Sequence, residues 1–131
     1  MDIAYGLCKA INKLFPLPVH PFNLNNCGIK TYSEWQFEKG NETIKFYLKQ
    51  TATDIMFRDK TVLDIGCGAG GKTIYYASLG AKKIYGLEIL EKYREEAQSL
   101  ALKKGHADRF AFICGDAAKT SFNDDTFDTI I

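Results

Sequence analysis

A cluster of glycines directly follows a short apolar run near the middle of the chain. Gly66, Gly68, Gly70 and Gly71 come immediately after Val62-Leu63-Asp64-Ile65. Glycine lets a backbone turn sharply and approach a ligand closely where a strand meets a helix. Gly66, Gly68 and Gly71 also fit the Gly-x-Gly-x-x-Gly spacing of a dinucleotide-binding loop. The glycine pattern therefore predicts a cofactor site at a strand-to-helix junction.

Acidic residues beside this loop separate two classes of cofactor. Asp64 precedes the first glycine by two positions, Glu88 ends the next predicted strand and Asp116 follows the third. A carboxylate at the loop would repel the pyrophosphate of a dinucleotide. S-adenosylmethionine carries an ammonium and a sulfonium instead of phosphates, so the same carboxylate would attract this cofactor. The acids favour S-adenosylmethionine, and a nicotinamide-dependent oxidoreductase remains the alternative.

Each acid also has a structural interpretation when it is taken alone. Asp64 could cap the following helix, Glu88 could be a solvated strand end and Asp116 could be a turn residue. Their shared position favours function, because all three follow successive predicted parallel strands and open α/β sheets bind ligands at that edge. Cys67 and Cys114 are interpreted as packing residues rather than nucleophiles, since no histidine lies near either in the sequence.

The elements that position these residues follow from alternating apolar and amphipathic segments. Strands are expected over 61–65, 83–88, 109–114 and from 127 onward, and helices over 72–79 and 90–104. Gly80 and Gly105 are placed as helix stops. The alternation of strands and helices predicts the α/β class, with a Rossmann-like parallel sheet and flanking helices.

Residues 1–58 have a different pattern and are expected to form an N-terminal helical extension or lid. Apolar residues at helical spacing predict a helix over 2–15. Ser33 and Gln36 have the spacing of a capping box and predict a helix start at Ser33. A helical stripe continues through Ile44 to Ile55, and Gly40-Asn41 leaves open whether it forms one helix or two.

The ordered set Asp64-x-Gly66-x-Gly68-x-Gly70, Glu88 and Gly115-Asp116-Ala117 resembles the class I, Rossmann-like S-adenosylmethionine-dependent methyltransferases. The resemblance extends from about residue 60 to 131. It implies that Asp64 holds the methionine amino group, that Glu88 takes the ribose hydroxyls and that Asp116 reads the adenine edge. The other residues of the expected cofactor-binding set are Gly66, Cys67, Gly68 and Gly70 in the loop, and Ile89 and Ala117 at the adenine.

The same resemblance implies that residues 59–131 form an incomplete cofactor-binding domain. In this family the fourth strand lies beside the first, inside a larger sheet. A chain that stops at Thr129-Ile130-Ile131 would leave an apolar edge unpaired. We therefore expect the chain to be the N-terminal part of a longer protein, or to have that edge covered by a partner such as a second copy in a homo-oligomer. No residue is assigned as a general base.

Composition excludes several other classes of protein. With 17 basic and 16 acidic residues the net charge is +1, which gives no basic face for nucleic acid. No apolar run is long enough to span a membrane. The four cysteines form no Cys-x-x-Cys pair, so neither a metal site nor a disulfide framework is expected. We expect a cytoplasmic methyltransferase with a small-molecule acceptor, the alternative being a non-catalytic binding or assembly module.

Overall fold

The computed structural model describes residues 31–48 and 53–131, together with residues 7, 10, 11 and 14. These four isolated residues are helical and exposed. The rest of the helix expected over 2–15 lies outside the described residues. Within the described part of the chain, no helix is both long enough and apolar enough to cross a bilayer.

Four parallel strands form one sheet in the order β3–β2–β1–β4. The strands are β1 (Thr61–Ile65), β2 (Lys83–Glu88), β3 (Phe110–Cys114) and β4 (Thr129–Ile130). At the edge, Asp128 fixes β4 to β1: its Oδ2 accepts from the Thr61 N–H at 2.8 Å, and its own N–H donates to the Thr61 carbonyl at 2.9 Å. The strand order confirms the predicted α/β, Rossmann-like class.

Helices cover one face of this sheet. They are α1 (Tyr32–Leu48), α2 (Thr53–Met56), α3 (Gly71–Ala77) and α4 (Glu91–Lys103), and short 3-10 turns span Ala107–Arg109 and Ala117–Lys119. Helices α3 and α4 pack on the strands, and α1 packs on α3. The largest fully buried side chains between these layers are Phe57, Ile74, Ile84, Val62 and Thr73.

Gly105 ends α4 as predicted from the sequence. Its φ is 78°, in the left-handed region that favours glycine. Its N–H donates to the Leu102 carbonyl at 3.1 Å, and the His106 N–H donates to the Ala101 carbonyl at 3.3 Å. These are the two hydrogen bonds of a Schellman motif, which satisfies the last carbonyls of a helix.

The start of α1 differs from the prediction. Its capping box is formed by Thr31 and Glu34, so the Ser33–Gln36 box was wrong. The Glu34 N–H donates to Thr31 Oγ1 at 3.2 Å, and the Thr31 N–H donates to Glu34 Oε2 at 3.0 Å. Ser33 is buried instead, with its hydroxyl 3.1 Å from Thr31 Oγ1.

Helix α1 is continuous through Gly40, which settles the question that the sequence left open. An added Cβ at Gly40 would overlap the Tyr75 ring, so glycine permits close approach to α3 here rather than breaking the helix. The helical stripe does not continue to Ile55. Ile44 is buried in the core, whereas Ile55 lies in the separate helix α2 and is 67% exposed.

An ion pair joins α1 to α4. The Lys103 ammonium donates to Glu34 Oε1, and this contact spans two helices far apart in the sequence. The bond to Lys103 and the bond from the Thr31 N–H together hold the pKa of Glu34 down, from its ordinary value of 4.5 to about 2. The ion pair therefore stabilises the position of α1 only while the Glu34 carboxyl is charged.

We predict that Glu34→Gln lowers the free energy of unfolding at neutral pH by up to about 1 kcal/mol, because the pair is partly solvated. Glutamine keeps the capping box and removes the charge. Because the folded-state pKa is depressed, the difference between the two proteins should be complete above pH 4.5 and shrink toward pH 2. Urea unfolding at several pH values measures it. A double-mutant cycle with Lys103→Met that gives no coupling at neutral pH would contradict the ion-pair origin.

Candidate cofactor site

The glycine loop is fastened to the end of β2 by its backbone. The Leu87 carbonyl accepts from the Gly66 N–H at 2.8 Å and from the Cys67 N–H at 3.2 Å. Gly66 and Gly68 have φ values of 72° and 54°, and an added Cβ at either would meet no atom within 4 Å. The positive φ explains the glycines, and the open space beside them leaves the backbone accessible to a ligand.

The end of the loop is packed tightly on both sides. An added Cβ at Gly70 would lie 2.6 Å from the Ala97 Cβ on α4. At Gly71 it would overlap the Ser33 carbonyl of α1. Helices α1 and α4 therefore approach the loop to backbone distance, and this fixes where α1 lies relative to the site.

Glu88 holds the loop from the opposite strand. Its Oε2 accepts from the Gly68 N–H at 3.0 Å, and its Oε1 accepts from the Leu90 N–H at 3.0 Å. The residue is only 8% exposed, so the interpretation as a solvated strand end is wrong. A carboxylate oxygen can accept more than one hydrogen bond, so both oxygens retain capacity for ligand hydroxyls.

Asp64 joins the end of β1 to the first turn of α3. The Thr73 hydroxyl donates to Asp64 Oδ2 at 2.6 Å, and Asp64 is 9% exposed. Burial raises the pKa of Asp64, although the Thr73 hydrogen bond and the Lys72 charge act in the opposite direction. A cation placed beside this carboxyl would stabilise its charged form.

Cys67 belongs to the glycine loop and is influenced by the charges of both acids. Burial raises the pKa of its thiol to about 12, with further contributions from the charges of Asp64 and Glu88. The thiol is therefore protonated at neutral pH and does not act as a nucleophile. Cys67 and Cys114 are free thiols, whereas Cys8 and Cys27 lie outside the described residues.

At the third strand, Asp116 has one oxygen already engaged. Its Oδ1 accepts from the Ala118 N–H at 2.9 Å and caps the following 3-10 turn. Both Asp116 and Ala117 are exposed, so their polar groups remain accessible. Ile89 is 66% exposed at the same edge. The Gly115 N–H donates to the Glu88 carbonyl at 2.9 Å, which joins this turn to the end of β2.

A cavity of about 270 Å³ opens beside the glycine loop. Its walls include the expected residues Asp64, Gly66 and Cys67, together with Gln36 and Lys72, which the sequence reasoning missed. Lys72 carried a signal, since a lysine in the first turn of a helix opposes the usual charge preference. Gln36 carried none, because it reaches the cavity from α1. Among the described residues no cluster of His, Cys, Asp and Glu could hold a metal ion.

Two kinds of comparison identify what this fold resembles. Residues 62–131, more than half of the chain, match the family model described as "Methyltransferase domain". A solved structure with the same fold is the PRMT1 enzyme–prozyme heterotetrameric complex of Trypanosoma brucei with AdoHcy. It has a TM-score of 0.55 and 26% identity, and the match covers 73% of this chain and 30% of that one.

Curated relatives agree with the family model over the same half of the chain. The probable chloroplastic tocopherol O-methyltransferase of Oryza sativa subsp. japonica is 34% identical over 56% of this chain and 20% of its own length. Protein arginine N-methyltransferase 1 of Chlamydomonas reinhardtii is 37% identical over 58% of this chain and 22% of its own. The chain thus spans about a fifth of the length of these relatives. It belongs to the class I S-adenosylmethionine-dependent methyltransferase family.

Proposed function

We propose that this chain binds S-adenosylmethionine at the C-terminal edge of its sheet and forms the methyl-donor half of a methyltransferase. The observation that carries the proposal is the pair of buried acids, Asp64 and Glu88, on either side of an open glycine loop. When bound, the cofactor supplies a methyl group whose bond to sulfur breaks as an acceptor lone pair bonds to the carbon, while the bonding electrons return to sulfur.

The residues present fit this cofactor. We infer that Asp64 binds the methionine ammonium, that Glu88 binds the ribose hydroxyls, and that Asp116 with Ala117 binds the adenine edge. Burial raises the pKa of Cys67, and the negative charges of Asp64 and Glu88 raise it further; the same charges favour a ligand with an ammonium and a sulfonium. They disfavour a pyrophosphate, which argues against the nicotinamide-dependent alternative.

Helix α1 is proposed to form one wall of the site and to belong functionally with residues 59–131. Ser33 contacts the loop at Gly71, and Gln36 reaches the cavity. This role fits the expected extension or lid, since α1 packs against the loop.

The methyl acceptor stays a prediction. By their names the relatives include an enzyme for tocopherol and one for protein arginine. We retain a small-molecule acceptor because the net charge of the chain is only +1.

The decisive experiment is calorimetric titration of the chain with S-adenosylmethionine, S-adenosylhomocysteine and NAD. Micromolar binding of both adenosyl compounds and no binding of NAD is the expected result. Tighter binding of NAD would replace the proposal with the oxidoreductase alternative. Binding of none of the three by a chain whose circular dichroism shows a folded protein would contradict the proposal.

Asp116→Asn should weaken S-adenosylhomocysteine binding about tenfold, because the amide replaces an acceptor at the adenine edge with a donor. The amide oxygen can still accept from the Ala118 N–H, so thermal stability should change little. Asp108→Asn is the matched control, since Asp108 is also exposed and lies in the turn before β3, at the opposite end of that strand. Equal weakening by both variants would remove Asp116 from the site.

Affinity for S-adenosylhomocysteine should fall as the pH is lowered, and the fall should begin above the ordinary titration range of an aspartate. Burial raises the pKa of Asp64, so this carboxyl becomes neutral at a higher pH than usual and loses its attraction for the ligand ammonium. Asp64→Asn keeps an acceptor for Thr73, and its affinity should be about tenfold lower at neutral pH and less dependent on pH in that range. Titrations at a series of pH values measure both. An unchanged profile in the variant would assign the pH dependence to another group.

A further inference from the structure

The cavity beside the glycine loop carries charges of both signs. Asp64 contributes a buried carboxylate, and Lys72 contributes an ammonium from the first turn of α3. Burial raises the pKa of Asp64, and the Lys72 charge, after the Thr73 hydrogen bond, lowers it in part. The two groups therefore share one environment at the wall of one cavity.

Nothing in the packing of the described residues accounts for the position of Lys72. It forms no salt bridge within the described part of the chain. Asp64, the acidic side chain on the same cavity wall, is already bonded to the Thr73 hydroxyl. A positive charge in the first turn of a helix is also electrostatically unfavourable. The ammonium is thus left available to a ligand in the cavity.

The amino-acid end of the cofactor in the proposed function is a zwitterion. Asp64 accounts for its ammonium but leaves its carboxylate without a charged partner. Lys72 offers the complementary charge, and the Gln36 amide on α1 adds a hydrogen-bond donor at the same cavity. A carboxylate paired with an ammonium makes a stronger hydrogen bond than a neutral pair makes.

We propose that Lys72 binds the α-carboxylate of the methionine moiety, so that Asp64 and Lys72 together recognise an α-amino acid rather than an amine. This inference rests on the proposed function and makes it more specific. Lys72 would then make the site prefer ligands with an amino-acid tail. It belongs neither to the glycine motif nor to the three acids at the strand ends.

The test compares S-adenosylmethionine with decarboxylated S-adenosylmethionine, which differ only by the carboxylate. Calorimetry is performed on the chain and on Lys72→Met, which removes the charge and keeps a long aliphatic side chain. The original chain should prefer the carboxylated compound about fivefold, and the variant should lose this preference while binding the decarboxylated compound unchanged. Raised salt should reduce the preference of the original chain.

Lys119→Met is the matched control, because Lys119 lies in the turn after β3 and not on the cavity wall. It should retain the preference. Equal weakening of both compounds by Lys72→Met, or a preference that survives it, overturns the role of Lys72 while leaving the proposed function intact. If the original chain binds neither compound, the proposed function fails, and this inference fails with it.

Discussion

The buried carboxylate of Glu88 is the interaction on which the site depends. Its two oxygens accept hydrogen bonds from the backbones of Gly68 and Leu90, so one side chain fixes both the glycine loop and the start of α4. A charge at 8% exposure is stable only when such donors surround it. Removing it would leave two peptide N–H groups unpaired, so the acid that we propose for the ribose hydroxyls also has a structural role in this fold.

Much of the architecture follows from local sequence. The bounds of β1 and β2 coincide with their apolar runs, and the glycine at position 105 ends α4 as its spacing predicted. Local signals failed where two of them competed. Thr31–Glu34 and Ser33–Gln36 both have capping-box spacing, and a charged glutamate that also pairs with Lys103 is the better choice.

Two residues at the site were missed from the sequence because a contact between distant parts of the chain brings them together. Gln36 and Lys72 meet at one cavity because α1 rests on the glycine loop, with the Ser33 carbonyl against Gly71. That contact joins distant parts of the chain and has no periodic signature. The sequence predicted the three acids at one edge because parallel strands bring their C-terminal ends together there, a rule of topology that spacing along the chain reveals.

Three aromatic rings lie on the face of the sheet opposite the helices. Phe127 stands edge-on to Tyr85 and to Phe122, with ring centroids 5.3 Å and 4.9 Å apart. These rings bridge β2 and the segment that leads into β4. Pairing β4 with β1 closes a long loop of the chain, and this closure costs conformational entropy. The hydrogen bonds between these two strands must offset that cost. The ring cluster shortens the effective loop, because Phe127 lies directly before the segment that pairs with β1.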